Sequence, residues 1–212
     1  MSKPADGPRS PKSGDTDFIS IESMRTGRTS FAHRYAALAG IVWMSAALFS
    51  VPSDSRAQQK AKFEIKSAAF QNNSSIPSRH TCDGANLSPA LSWTDPPEGT
   101  QSYALIMDDP DAPMGTFVHW VLYNLPASAR QLPEGVPRND DVQGGLQGVN
   151  DFPQTGYGGP CPPPGKPHRY FFKLYALDTK LDLRAGARKK DVEQAMKGHV
   201  LAEAQWVGRY KR

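Results

Sequence analysis

Cysteine is scarce, with two residues in 212, Cys82 and Cys161. Two thiols do not fill a zinc site, and no His-Glu-x-x-His segment adds the missing ligands. No Gly-x-Ser-x-Gly elbow offers an activated serine, so the common serine-hydrolase chemistry is not written in the chain. No apolar run reaches the ~20 residues that span a bilayer comfortably. The longest, residues 35–51, stops at Pro52. A basic stripe interleaved with aromatics is also missing, which argues against a nucleic-acid binder despite a net charge of +4. That charge is unevenly placed. Residues 58–179 hold 9 Lys/Arg against 12 Asp/Glu, whereas residues 180–212 hold 9 against 4.

What is present reads as an exported globular protein. Hydrophobic residues make up 38% and charged residues 22%, enough to build a core and keep a soluble surface. Arg25, Arg28 and Arg34 precede the uncharged run 35–51, and Ser55-Arg56-Ala57 follows it. Basic start, apolar middle and small-x-small end form a secretory signal, with cleavage expected after Ala57. Met24 is an alternative start, because a signal of normal length begins there. An uncleaved membrane anchor is the competing reading of the same run, and the leader would then be the protein's contact with a membrane. The expected organisation is a leader over 1–57 and one domain over 58–212. The expected location is outside the cytoplasm, in the periplasm of a Gram-negative source. In such a compartment Cys82 and Cys161 form a bridge, with two separate buried thiols as the alternative.

Past the leader the pattern is one of short strands and turns. Lys62–Phe70 alternates apolar and polar, as a half-buried strand does. Leu91–Trp93 and Tyr103–Met107 follow. Thr116–Leu125 is nearly continuously apolar, which predicts a central strand covered on both faces. Arg169–Leu177 is another strong strand, and Gln205–Tyr210 a closing one. Residues 133–167 are dense in Gly and Pro and read as a long irregular segment. One helix is predicted over Ala187–Lys197, with Gly198 just past its end. Five or six strands and one late helix predict a mainly β fold: a single antiparallel, sandwich-like domain with a peripheral C-terminal helix.

Two segments carry the chemistry. In Asp108-Asp109-Pro110-Asp111-Ala112-Pro113, carboxylates sit at the end of a strand on a loop stiffened by prolines. His119 lies in the next strand, and an Asp from the first segment would orient it and keep it cationic. In Gly158-Gly159-Pro160-Cys161-Pro162-Pro163-Pro164-Gly165, backbone N–H groups are expected to form an anion-binding concavity. His168 and Tyr170 follow on one face of a strand. Asp109 and Asp111 also suit plain turn caps, Arg169 a surface ion pair and Lys189-Lys190 a solvated helix face. The combination predicts a small pocket for a phosphate- or carboxylate-bearing ligand. An Asp/His hydrolase acting on a small ester or phosphoester is the alternative. Neither reading calls for a metal or a cofactor.

The segments Asp109-Pro110-Asp111-Ala112-Pro113, His119-Trp120, Gly159-Pro160-Cys161-Pro162-Pro163 and His168-Arg169-Tyr170 occur in this order. With Thr81-Cys82-Asp83-Gly84 and Leu87-Ser88-Pro89, they resemble the signature of the phosphatidylethanolamine-binding protein family. More narrowly, they resemble its bacterial, Raf-kinase-inhibitor-like branch. The resemblance covers about residues 62–210. It implies a β-sandwich-like fold, binding of phospholipid or other anionic groups, and a pocket lined by Asp109, His119, His168 and Tyr170. It implies backbone contacts from Gly159 and Pro160, and a rim shaped by Asp111 and Pro113. Phe117 stands where many eukaryotic members carry Trp. The kinase partners of eukaryotic members are not implied for an exported chain, and a protein partner is left unnamed.

Overall fold

The structure, a computed structural model, describes residues 62–212. The leader, its cleavage point and the alternative start at Met24 lie outside the described residues. The short strands are β1 (Ile65–Ser67), β2 (Ser74–Ser75) and β3 (Leu91–Trp93). Two long ones follow, β4 (Ser102–Asp109) and β5 (Phe117–Pro126). After β6 (Gln131–Leu132), β7 (Asp141–Val142) and β8 (Gly145–Gln147) come β9 (His168–Leu177), helix α1 (Lys189–Met196) and β10 (Val200–Tyr210).

The strands form two sheets. A small antiparallel sheet has the order β1-β3-β6. A large one has the order β2-β10-β9-β4-β5-β8-β7, antiparallel except for the short β2–β10 pair. The expected antiparallel, mainly β architecture with one late helix is therefore the observed one. Alternation explains how the layers stack. On β4, Tyr103, Leu105 and Met107 face the small sheet, where Tyr103 packs against Phe63 and Trp93. Ala104 and Ile106 face the other way, toward Val192 and Met196 of α1. All eight residues of β4 are buried because each face of the large sheet is covered.

Helix α1 starts where the Asp191 carboxylate accepts the Arg188 N–H at 3.1 Å, and Gly198 follows it with φ +85°. Lys189 does not belong to a freely solvated face. Its Nζ lies 2.6 Å from Asp108 Oδ2, and Lys173 Nζ is 3.1 Å from the same carboxylate. Asp108 thus ties the helix to the outer face of β4, while its neighbour Asp109 turns to the opposite face.

Candidate functional site: a cavity at the ends of β4, β5 and β9

The site forms where β4 ends and β9 begins. These strands pair antiparallel, with Asp108 opposite Phe171, so the last residue of β4 meets the first residues of β9. Asp109 continues the inward face of Met107, and His168 and Tyr170 continue that of Phe172. The consequence is a direct pair: His168 Nδ1–H donates to Asp109 Oδ2 at 2.7 Å, both side chains being buried. The other oxygen, Oδ1, accepts the Asp111 N–H at 2.8 Å, so the carboxylate also closes its own turn.

His119 reaches this group through an irregularity. Met107 pairs with Trp120 but Asp108 pairs with Val118, so His119 is the extra residue of a β-bulge. Beyond the bulge the phase reverses. Val118 packs with Val121 on the helix side, and His119 and Phe117 join the cavity with Asp109, His168 and Tyr170. The expectation of an Asp partner that keeps His119 cationic is corrected. Its Nδ1–H donates to the Gly158 carbonyl at 2.7 Å. Burial, the largest influence on it, pushes its pKa below the usual imidazole value. The ring is therefore neutral, and Nε2 is its remaining acceptor.

The cavity has a volume of about 150 Å³. That is well below the ~300 Å³ at which pockets for drug-sized ligands begin. Its polar groups are Asp109, His119, His168 and Tyr170, and its apolar walls include Pro113, Phe117, Phe152, Pro162 and Pro163. Phe152 was not singled out from sequence. It sits edge-on to Phe117 at 4.7 Å and to His119 at 5.4 Å. Asn150 holds it there: its Oδ1 accepts the N–H groups of Phe152 and Gln154, and its Nδ2 donates to the Gly156 carbonyl. An Asn heading a turn two residues before an aromatic was the available signal. The Tyr170 hydroxyl is buried without a hydrogen-bond partner. Burial and the Asp109 and Asp111 charges raise its pKa, so it keeps its proton and is a donor.

Three expected ligand residues stand elsewhere. Asp111 does not line the cavity. It accepts from the Arg169 N–H at 2.9 Å and from the guanidinium at 2.8 and 2.7 Å. That clamp holds its carboxyl at about 2, well below the ordinary 3.8. Arg169 is the ion-pair residue its pattern allowed. Gly159 and Pro160 also lie behind the wall, so the expected backbone concavity is reduced to the N–H of Cys161, which lines the cavity and has no partner in the protein. The N–H of Gly158 donates to the His119 carbonyl, that of Gly159 to Asn86 Oδ1, and that of Gly165 to the Arg212 carbonyl. The prolines have no N–H to offer. Gly159 is glycine because a Cβ there would lie 2.5 Å from the His80 carbonyl oxygen. Cys161 does line the cavity, and it is bridged to Cys82 across a Cα–Cα distance of 5.4 Å.

Among the described residues, no three His, Cys, Asp or Glu side chains are grouped to hold a metal ion.

The chain has clear relatives. The profile of the family described as phosphatidylethanolamine-binding protein matches residues 66–211. A UPF0098 protein of Aquifex aeolicus is 53% identical over 154 residues, covering 72% of this chain and 90% of that protein. One from Methanothermobacter thermautotrophicus is 54% identical over 149 residues, covering 70% and 98%. Among solved structures, Escherichia coli YbcL, described as a new member of the mammalian PEBP family, superposes with a TM-score of 0.67. It is 36% identical, over 72% of this chain and 99% of that one. The Chlamydia trachomatis homologue CT736 gives a TM-score of 0.66, also at 36% identity, over 71% and 98%. With its two-sheet fold and a profile match over nearly all the described residues, the chain belongs to the phosphatidylethanolamine-binding protein family.

Proposed function

We propose that this is an exported, non-catalytic binding protein. Its cavity holds the phosphate or carboxylate end of a small ligand, in the manner of the Raf-kinase-inhibitor-like branch it resembles. The observation that carries the reading is the Tyr170 hydroxyl, a buried donor with no partner that lines a cavity shared with two imidazoles. Buried polar groups are almost always satisfied, so a donor left open beside a cavity is matched to an acceptor on a ligand. The apolar walls supply shape and exclude water, which strengthens each polar contact at the floor. Non-catalytic binding is favoured because the lining has no Ser or Thr hydroxyl, and the Cys161 sulfur is tied in a bridge. The bridge also suits an oxidising compartment, in line with the leader.

Thermal unfolding against phosphate, phosphorylethanolamine and acetate tests the reading. A ligand at a hundredfold excess over its Kd stabilises the fold by about 2.7 kcal/mol. The expected result is a rise in Tm with phosphate-bearing ligands. Tyr170→Phe, which deletes only the hydroxyl, is expected to weaken binding about tenfold or more, the worth of one hydrogen bond to a charged group. A well-folded protein whose Tm none of the three anions moves would overturn the assignment.

A further inference from the structure

The lining of the cavity contains no lysine and no arginine, and its one fixed charge is the carboxylate of Asp109. This is an unusual floor for an anion. Sites that hold phosphate ordinarily place a permanent cation or several backbone N–H groups against it. Here the N–H groups of Gly158, Gly159 and Gly165 are spent inside the protein, which leaves the single amide of Cys161 at the cavity wall, and the nearby guanidinium of Arg169 is clamped to Asp111. With both imidazoles neutral, the cavity carries the charge of Asp109 alone and repels an anion.

One group in the cavity is placed to reverse that sign. His119 is held neutral, with its Nδ1–H on the Gly158 carbonyl and burial penalising the cation. His168 differs in having a carboxylate on Nδ1, at 2.7 Å. A proton added to its Nε2 gives an imidazolium already paired with Asp109, and Nε2–H becomes a second donor beside the Tyr170 hydroxyl. The other groups around His168 leave this role to it. Asp111, on the β4 loop, is occupied by Arg169. Tyr210 lies opposite it on β10 and donates to Asp83. Tyr170 on its own strand stays protonated, and Lys166 just before the strand is exposed and does not line the cavity.

We propose, resting on the anion-site reading above, that the cavity binds its anion together with one proton, taken from solvent by His168 Nε2 and returned when the anion leaves. The ligand class is then a small oxyanion, such as a phosphate monoester or a carboxylate. Asp109 acts as the positioning residue that makes the imidazolium tolerable in a buried site. Because the complex then holds one proton more than the free protein, affinity falls as pH rises.

Isothermal titration with inorganic phosphate and with sulfate, in two buffers of different protonation enthalpy, reads the proton directly. Sulfate stays a dianion throughout, so any proton taken up with it goes to the protein. About one proton per bound anion is expected for sulfate, with affinity dropping between pH 6.5 and pH 8. His168→Gln keeps a side-chain amide in place but cannot take the proton, and is expected to abolish both the uptake and the pH slope. Imidazole ¹⁵N NMR on the unsubstituted protein gives the same answer independently of how that variant folds: saturation with sulfate at pH 7 should convert His168, and not His119, to the imidazolium. Sulfate binding with no proton uptake and no change at His168 would overturn the linkage while leaving the anion site standing. If neither anion binds at any pH, the anion-site reading and this inference fall together.

Discussion

Gly159 and His119 both sit beside the cavity, and their backbones explain why they are what they are. Gly159 gives the closest approach of the Gly/Pro segment to the His80–Cys82 loop, with the His80 carbonyl oxygen and Asn86 Oδ1 within 2.6 Å of where a Cβ would be. It therefore braces the wall from behind. Gly159→Ala is expected to destabilise the fold by about 1–3 kcal/mol, the usual cost of forcing extra volume into a packed site. Denaturant titration reads that loss, and an unchanged midpoint would return Gly159 to the role of a ligand contact. His119 was legible as a site residue, but not the reason it works. Strict alternation along β5 places it with Val121 and Tyr123 on the helix side. The bulge opposite Met107 and Asp108 turns it to the cavity instead. Its partner was also hidden, because Gly158 lies 39 residues away and acts through a carbonyl that every residue carries.

At the scale of elements, β4, β5, β9 and the short β3 followed from their composition, whereas β10 was expected only from Gln205 onward and the two-residue strands not at all. β4, β5 and β9 are 8 to 10 residues with a clear apolar pattern, and each was expected within a few residues of its observed limits. β2, β6 and β7 are two-residue pieces. Their pairing comes from neighbours in the sheet, so no local period announces them. The Cys161–Pro163 wall is a different kind of element. Prolines give it no ladder, and its attachments are the Cys82 N–H to the Pro160 carbonyl, the Gly165 N–H to the Arg212 carbonyl, and the disulfide. The bridge closes a separation of 79 residues. Cys82→Ser with Cys161→Ser is expected to cost about 4 kcal/mol from loop closure. It is also expected to weaken anion binding, since a cavity wall loses its covalent tie. Chemical unfolding and titration of the double variant check the two effects separately. Weakened stability with unaltered binding would mean that the backbone bonds alone hold the wall.

The molecule as a whole should be sensitive to acid in two stages. His119 is neutral in the fold and takes a proton in the unfolded chain below its ordinary value of 6.5. The unfolded state then binds more protons, so stability is lost as pH falls through that value. Asp111 is lowered from 3.8 to about 2 by Arg169, so its contribution is present above pH 3.8 and disappears toward pH 2. Urea midpoints measured from pH 8 to pH 3 should decline below pH 6.5 and again below pH 4. His119→Gln should remove the upper step alone. A flat profile between pH 7 and pH 5 would contradict the neutral, carbonyl-bonded state of this ring.

By itself the sequence determined the layered β architecture, because apolar alternation and turn residues act within a few residues of where they stand. It also determined which segments meet at the site, since Asp109, His119, His168 and Tyr170 are rare residue types at strand ends in an otherwise apolar setting. Only the tertiary structure decided how those residues divide the work. Asp109 serves His168, Asp111 is spent on Arg169, and the N–H groups of Gly158, Gly159 and Gly165 brace the wall instead of turning to the cavity. Hydrogen-bond partners of this kind are chosen among groups far apart in the chain. They compete for the same few donors and acceptors, and that competition is settled by sheet register and a single bulged residue, which no local pattern encodes.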